Sequence, residues 1–131
     1  MKYLIDTNIC IYYMKGRYGL DSKFNSVDVD SLYISEITLA ELKYGVANSA
    51  SPERNNLVLS NFLSGIQILP IFDGLDTFAN EKARLRKEGR PVDDFDLLIG
   101  SSAIANDLTL VTNNEKHFDR LTGIKMINWT K

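Results

Sequence analysis

Three carboxylates stand where a carboxylate is expensive to keep: Asp6, Glu41 and Asp96. Asp6 abruptly ends the apolar run Tyr3-Leu4-Ile5. Glu41 lies beside apolar residues in a segment of helical periodicity, sharing the stripe Ile37, Ala40, Glu41, Tyr44. Asp96 is the only charged residue in FDLLIGSSAIA, from Phe95 to Ala105, and shares a stripe with Ile99, Gly100 and Ala103. A carboxylate against packed apolar surface must be paired, bound to a cation or forced neutral. Hard oxygen donors without a Cys or His cluster select Mg²⁺ or Mn²⁺ over Zn²⁺. Mg²⁺ keeps several waters and turns one into a better nucleophile, which suits phosphodiester hydrolysis. Asn113 and Asn114 carry neutral amides suited to orienting a water or the scissile phosphate. The plainer roles are helix capping by Asp6, a capping box between Thr38 and Glu41, and a dipole partner at Asp96.

The elements that must hold these residues read as alternating strands and helices. Tyr3–Ile5 is a strand buried on both faces, followed by Thr7 and Asn8, good residues for closing a strand and capping a helix. Asn8–Lys15 reads as a helix, broken at Gly16 and Gly19, with a second short helix over Leu20–Ser26. Leu32–Ser35 is a strand, and Ser35 or Thr38 caps a helix over Glu36–Ala47. Ser51-Pro52-Glu53 starts a helix running to about Ser64, stopped by Gly65. Ile66–Ile71 is a strand, and Asp73 or Asp76 caps a long helix ending near Glu88. Asp93 or Asp94 caps the nearly uncharged helix to Asn106, Leu108–Val111 is a buried strand, and Glu115–Leu121 a short helix. His117, in that helix, reads as a surface or capping residue. Lys125–Asn128 is an edge strand, and Trp129 anchors the end. This order favours a central, mainly parallel sheet with helices on both faces, which gathers residues from strand ends into one site.

The chain of 131 residues, 44% of them hydrophobic, fits a single globular domain over residues 1–131. No apolar run approaches the ~20 residues of a membrane span, and no signal peptide is expected. One cysteine, Cys10 between Ile9 and Ile11, excludes an internal disulfide and fits the cytoplasm. A net charge of −2 argues against a nonspecific nucleic-acid binder. It argues less against a nuclease whose acidic cluster is neutralised by a cation. Arg84, Arg86, Lys87 and Arg90 form a local basic patch: cations suited to a helix end, or contacts to phosphate.

The chain resembles the PIN-domain ribonucleases, closely the VapC-like toxins of bacterial toxin–antitoxin pairs. The matching stretches are IDTN at Ile5–Asn8, ITLAELKYG at Ile37–Gly45, GRPVDDFDLLIGSSA at Gly89–Ala103, LTLVTNNEKHF at Leu108–Phe118 and INW at Ile127–Trp129. They keep the family's order and spacing across essentially the whole chain. The resemblance implies a three-layer α/β/α sandwich, with Asp6, Glu41 and Asp96 as the catalytic triad and Asp6 and Asp96 as the main ligands of Mg²⁺ or Mn²⁺. Asn8 would orient Asp6. Many PIN domains carry a fourth acidic residue where this chain has Asn114. The family also implies endonucleolytic RNA cleavage that inhibits translation, often at tRNA, inhibition by a small VapB-like antitoxin, and a homodimer.

Other chemistries fit less well. A haloacid-dehalogenase-like phosphatase needs a second aspartate two residues after Asp6, where Asn8 stands. A receiver domain needs a lysine after a late strand, and Val111-Thr112-Asn113-Asn114 has none. A silent PIN-like binding module and an RNA-processing nuclease are the remaining alternatives. The first is disfavoured by the presence of all three carboxylates, the second by the compact chain.

Overall fold

A computed structural model describes all residues from Met1 to Lys131. Five strands form one sheet: β1 (Tyr3–Ile5), β2 (Leu32–Ser35), β3 (Gln67–Leu69), β4 (Thr109–Val111) and β5 (Met126–Ile127). Their order is β3-β2-β1-β4-β5, and every pairing is parallel. β1 is central because Leu4 and Ile5 are both fully buried, one on each side of the sheet. Its partner β4 repeats this with Leu110 and Val111, in register with Leu4 and Ile5.

Each face carries its own layer of helices. Ile5, Ile34 and Val111 pack with α1 (Thr7–Met14), α2 (Leu20–Asn25), α3 (Glu36–Ala47) and α4 (Pro52–Leu63), through Ile9, Phe24, Leu42 and Leu59. Leu4, Leu108 and Leu110 pack with α5 (Leu75–Lys87), α6 (Asp94–Ala105) and α7 (Glu115–Phe118), through Leu85, Leu97, Ile99 and Phe118. The expected three-layer α/β sandwich is the observed one. No helix is long and apolar enough to cross a membrane.

Several boundaries differ from expectation. β3 stops before Pro70, which has no N–H for the ladder, and its exposed Ile68 marks an edge strand. Neither Asp73 nor Asp76 caps α5. The chain enters α5 through a 3₁₀ turn at Phe72–Gly74, where a Cβ on Gly74 would lie 3.0 Å from the Ser102 backbone of α6. This close approach leaves no room for a capping side chain and ties the turn to α6. Ser35, not Thr38, caps α3, accepting from the Ile37 N–H at 3.0 Å. Thr38 and Leu42 form the buried side of α3, whereas Ala40 and Tyr44 of the expected stripe are exposed. Asp93, not Asp94, caps α6.

Candidate active site

The carboxyl ends of β1 and β4 lie side by side, and each is followed by Thr-Asn: Thr7-Asn8 and Thr112-Asn113. Asp6 sits between them and is 5% exposed. Its Oδ1 accepts from the Thr7 N–H at 2.8 Å, so the carboxylate also caps α1. Its Oδ2 accepts from the fully buried Thr112 hydroxyl, also at 2.8 Å. That hydroxyl in turn accepts from the Asn114 N–H at 3.0 Å. Burial raises the Asp6 carboxyl from 3.8 to about 6; the bonds from Thr112 and Thr7 lower it, and the charges of Asp96 and Glu41 raise it again.

Glu41 reaches this cluster through Thr7, whose hydroxyl donates to Glu41 Oε1 at 2.7 Å and lies 3.0 Å from the Thr38 hydroxyl. The Thr38–Glu41 capping box is therefore absent: Thr38 is already inside the helix, and both side chains point to Thr7. Asp96, in the first turn of α6, is held above its ordinary value mainly by burial, and the nearby His117 works against that rise. His117 Nδ1 lies 3.2 Å from Asp96 Oδ2. The sheet thus brings Asp6 near enough to Glu41 and Asp96 for the charge of each to raise its carboxyl.

Other expected site residues stand differently. Asn8 is exposed and makes no hydrogen bond to Asp6; Thr7 and Thr112 orient that carboxylate instead. Asn114 contributes its backbone N–H to Thr112. Asn113 donates to the Tyr12 hydroxyl at 3.4 Å, while its own buried Oδ1 has no partner. Arg84 is committed to the fold: it pairs with Glu81 at 2.8 Å and Glu88 at 3.0 Å, and donates to the Arg120 carbonyl at 2.7 Å. Arg86, Lys87 and Arg90 are exposed and form no ion pair. His117, set aside on sequence grounds, stands at the cluster, and Thr7, Thr38 and Thr112 were not singled out as site residues. The repeated Thr-Asn after two apolar strands was the available signal for two of the threonines.

No group of three His, Cys, Asp or Glu side chains is arranged to hold a metal ion by itself. Mg²⁺ does not demand one: it is commonly held by one or two carboxylates, with waters and substrate phosphates completing the shell. A buried carboxylate under repulsion from two others fits a hard divalent cation.

Parallel sheet, crossover helices and an acidic cluster at the carboxyl ends of the central strands define the class. The PIN domain family model matches residues 3–124. The chain is 36% identical to the tRNA(fMet)-specific endonuclease VapC of Shigella flexneri, covering 99% of each chain. It is 40% identical to the ribonuclease VapC2 of Rickettsia felis over the full length of both. Among solved structures, DNA-bound VapBC from Salmonella typhimurium aligns with a TM-score of 0.91 at 34% identity, over 98% of each chain. The chain belongs to the PIN-domain family, in its VapC ribonuclease branch.

Proposed function

We propose that the whole chain, residues 1–131, acts as one catalytic domain: a divalent-metal-dependent endoribonuclease that serves as the toxin of a type II toxin–antitoxin pair. The observation that carries this reading is Asp6, a 5%-exposed carboxylate kept beside Glu41 and Asp96 and oriented by Thr7 and Thr112. A cluster of like charges with no lysine or arginine among them costs stability, so it is worth keeping for what it binds.

Asp6 and Asp96 would hold Mg²⁺ or Mn²⁺. When bound, the cation supplies Lewis-acid activation of a water and neutralises charge at the scissile phosphate. The chain's own residues supply the rest. Thr112 and Thr7 fix the direction in which the Asp6 oxygens point. Thr7 holds Glu41 by Oε1, leaving Oε2 without a protein partner and free to accept a proton from the attacking water. His117 donates to Asp96 and restrains its carboxylate. The amide of Asn114, and that of Asn113 with its unpartnered Oδ1, offer polar contacts to the phosphate or a water.

The substrate class is RNA, with tRNA the first target to test, because the Shigella flexneri relative bears a tRNA endonuclease name. The partner is a VapB-like antitoxin. Solved relatives are VapBC assemblies, and a groove of about 600 Å³ runs among Ile11, Met14, Leu42, Val46 and Leu59 with Glu41 on its lining, a shape suited to an apolar helix. A homodimer would cover the exposed Tyr44, Phe72, Leu75 and Phe95. The cytoplasm is the compartment where this substrate and partner are found.

Purified, antitoxin-free protein incubated with total RNA tests the reading, with Mg²⁺, with Mn²⁺ and with chelator, beside Asp96→Asn. Discrete new RNA ends that require both metal and Asp96 are expected. A folded Asp96→Asn variant that cleaves like the parent would overturn the assignment.

A further inference from the structure

The loop between α1 and α2 reads Lys15-Gly16-Arg17-Tyr18-Gly19; Lys15 lines the groove given above to the antitoxin, and the other four residues have no role so far. It is tied back onto α1, with the Arg17 N–H donating to the Tyr12 carbonyl at 2.9 Å and the Gly16 N–H to the Tyr13 carbonyl at 3.1 Å. Tyr18 adopts φ 58°, a left-handed conformation that a bulky side chain rarely takes. Yet its ring is 56% exposed, so the core does not require it there. Strained residues held by a surrounding turn concentrate at binding sites.

The ring of Tyr18 stands 5.0 Å from that of Tyr12, edge to face at 71°. Tyr12 connects this pair to the acidic cluster. Its hydroxyl accepts from the Asn113 amide at 3.4 Å, and the neighbouring Thr112 hydroxyl is the one that orients Asp6. Asp6 caps the helix that carries Tyr12, which puts Tyr12 about 9 Å from it along the helix axis. Asn113 Oδ1, on the amide that reaches Tyr12, is buried and unpartnered. Lys15 and Arg17 are exposed, and neither forms an ion pair, in contrast to Arg84. Exposed aromatic rings beside uncommitted cations are what single-stranded nucleic acid requires: a π-face for a base and charge for its phosphates.

We propose that Tyr18, backed by Tyr12 and flanked by Lys15 and Arg17, is a stacking subsite for an unpaired base of the RNA next to the scissile phosphate. This inference rests on the ribonuclease reading. It adds the α1–α2 loop to the RNA contacts outside the acidic cluster.

The test uses the full chain silenced by Asp96→Asn, with two fluorescent probes: an unstructured RNA oligonucleotide of mixed sequence, and an abasic oligonucleotide with the same phosphates. The silenced parent is expected to bind the base-bearing RNA about ten-fold or more tighter than the abasic one. Tyr18→Gly, which suits φ 58° and so keeps the fold, should remove that preference while binding the abasic RNA as before. Tyr18→Phe should retain it. Lys15→Ser and Arg17→Ser should weaken both probes equally, each lowering the salt slope by about 0.7. A base preference that survives Tyr18→Gly overturns the inference, as does a loss that falls equally on both probes. If metal-dependent, Asp96-dependent cleavage is present in the active protein, such a result removes the subsite alone. If the protein neither binds nor cleaves RNA, the ribonuclease reading falls and takes the subsite with it. A Tyr18→Gly variant that binds both probes normally but no longer holds a partner protein would assign the loop to protein contact instead.

Discussion

Replacing Asp6 with asparagine is expected to end catalysis and, without metal, to make the fold more stable at neutral pH. Burial is the largest influence on Asp6 and lifts its carboxyl from 3.8 to about 6. Below pH 3.8 the group is protonated whether the chain is folded or not, so it costs nothing. Between 3.8 and about 6 the unfolded chain gives up its proton first. The folded state then binds more protons, and stability falls as pH rises. Above that window both states are ionised and the penalty is complete. At about 1.4 kcal/mol per pH unit it reaches about 3 kcal/mol. Asparagine removes the charge but still accepts from the Thr7 N–H, and Thr112 can turn to accept from its amide. The value of about 6 already includes the lowering by Thr112 and Thr7, so a neutral asparagine gains up to about 3 kcal/mol, or roughly 9 °C in Tm for a chain of this size. Urea unfolding in chelator from pH 4 to pH 8 reads the difference directly. The two proteins should match near pH 4 and separate progressively up to pH 7. Added Mn²⁺ should stabilise the parent and not the variant, closing the gap. A variant no more stable than the parent at pH 8, or a gap that ignores pH, would refute the idea that Asp6 is stored at a cost.

Thr112→Val removes a hydrogen bond that lowers the Asp6 carboxyl and leaves the Asn114 N–H unpaired. The acid limb of the cleavage profile should move to higher pH, and Mn²⁺ affinity measured by calorimetry should fall about ten-fold. Glu81→Gln weakens a buried carboxylate that accepts from Arg84 and the Thr122 N–H. It should cost about 1–3 kcal/mol in urea unfolding. The Arg84 contact holds that carboxyl below 4.5, so the cost is full above pH 4.5 and vanishes as pH falls through the lowered value. Arg84→Ala should reduce stability with little change in the salt slope of RNA binding, whereas Arg86→Ala should leave Tm in place; a salt slope that falls with Arg84→Ala would return that residue to the RNA surface.

Asp6 and Asp96 were legible in the sequence because each interrupts an apolar run, an expense that local structure does not explain. The strand β1 and helix α6 were legible for the same reason: continuous hydrophobicity leaves few options for burial. Glu41 was legible by spacing, although the expected stripe was displaced. Ala40 and Tyr44 face outward, and Thr38 turns inward to meet Thr7. The threonines were harder to see because a hydroxyl after a strand looks like a cap from one dimension. Only the pairing of β1 with β4 shows Thr112 to be a partner of Asp6. Arg84 illustrates the opposite case: a cation in a basic run looks free until the carboxylates one helical turn to either side are seen to pair with it. His117 is joined to Asp96 across 21 residues of chain, a contact for which neither segment has a local signature.

The placement of β1 has a consequence for biosynthesis. Thr112, which orients Asp6, is made 106 residues after it. β4 and β5 are the last two strands of the sheet in chain order, and Trp129 packs into the core against Tyr3 at 5.1 Å. A nascent chain therefore carries Asp6 without the hydroxyl that directs it until Thr112 has followed. Elongation at about 5–20 residues per second gives an interval of several seconds in which the polypeptide is present and its acidic centre is not.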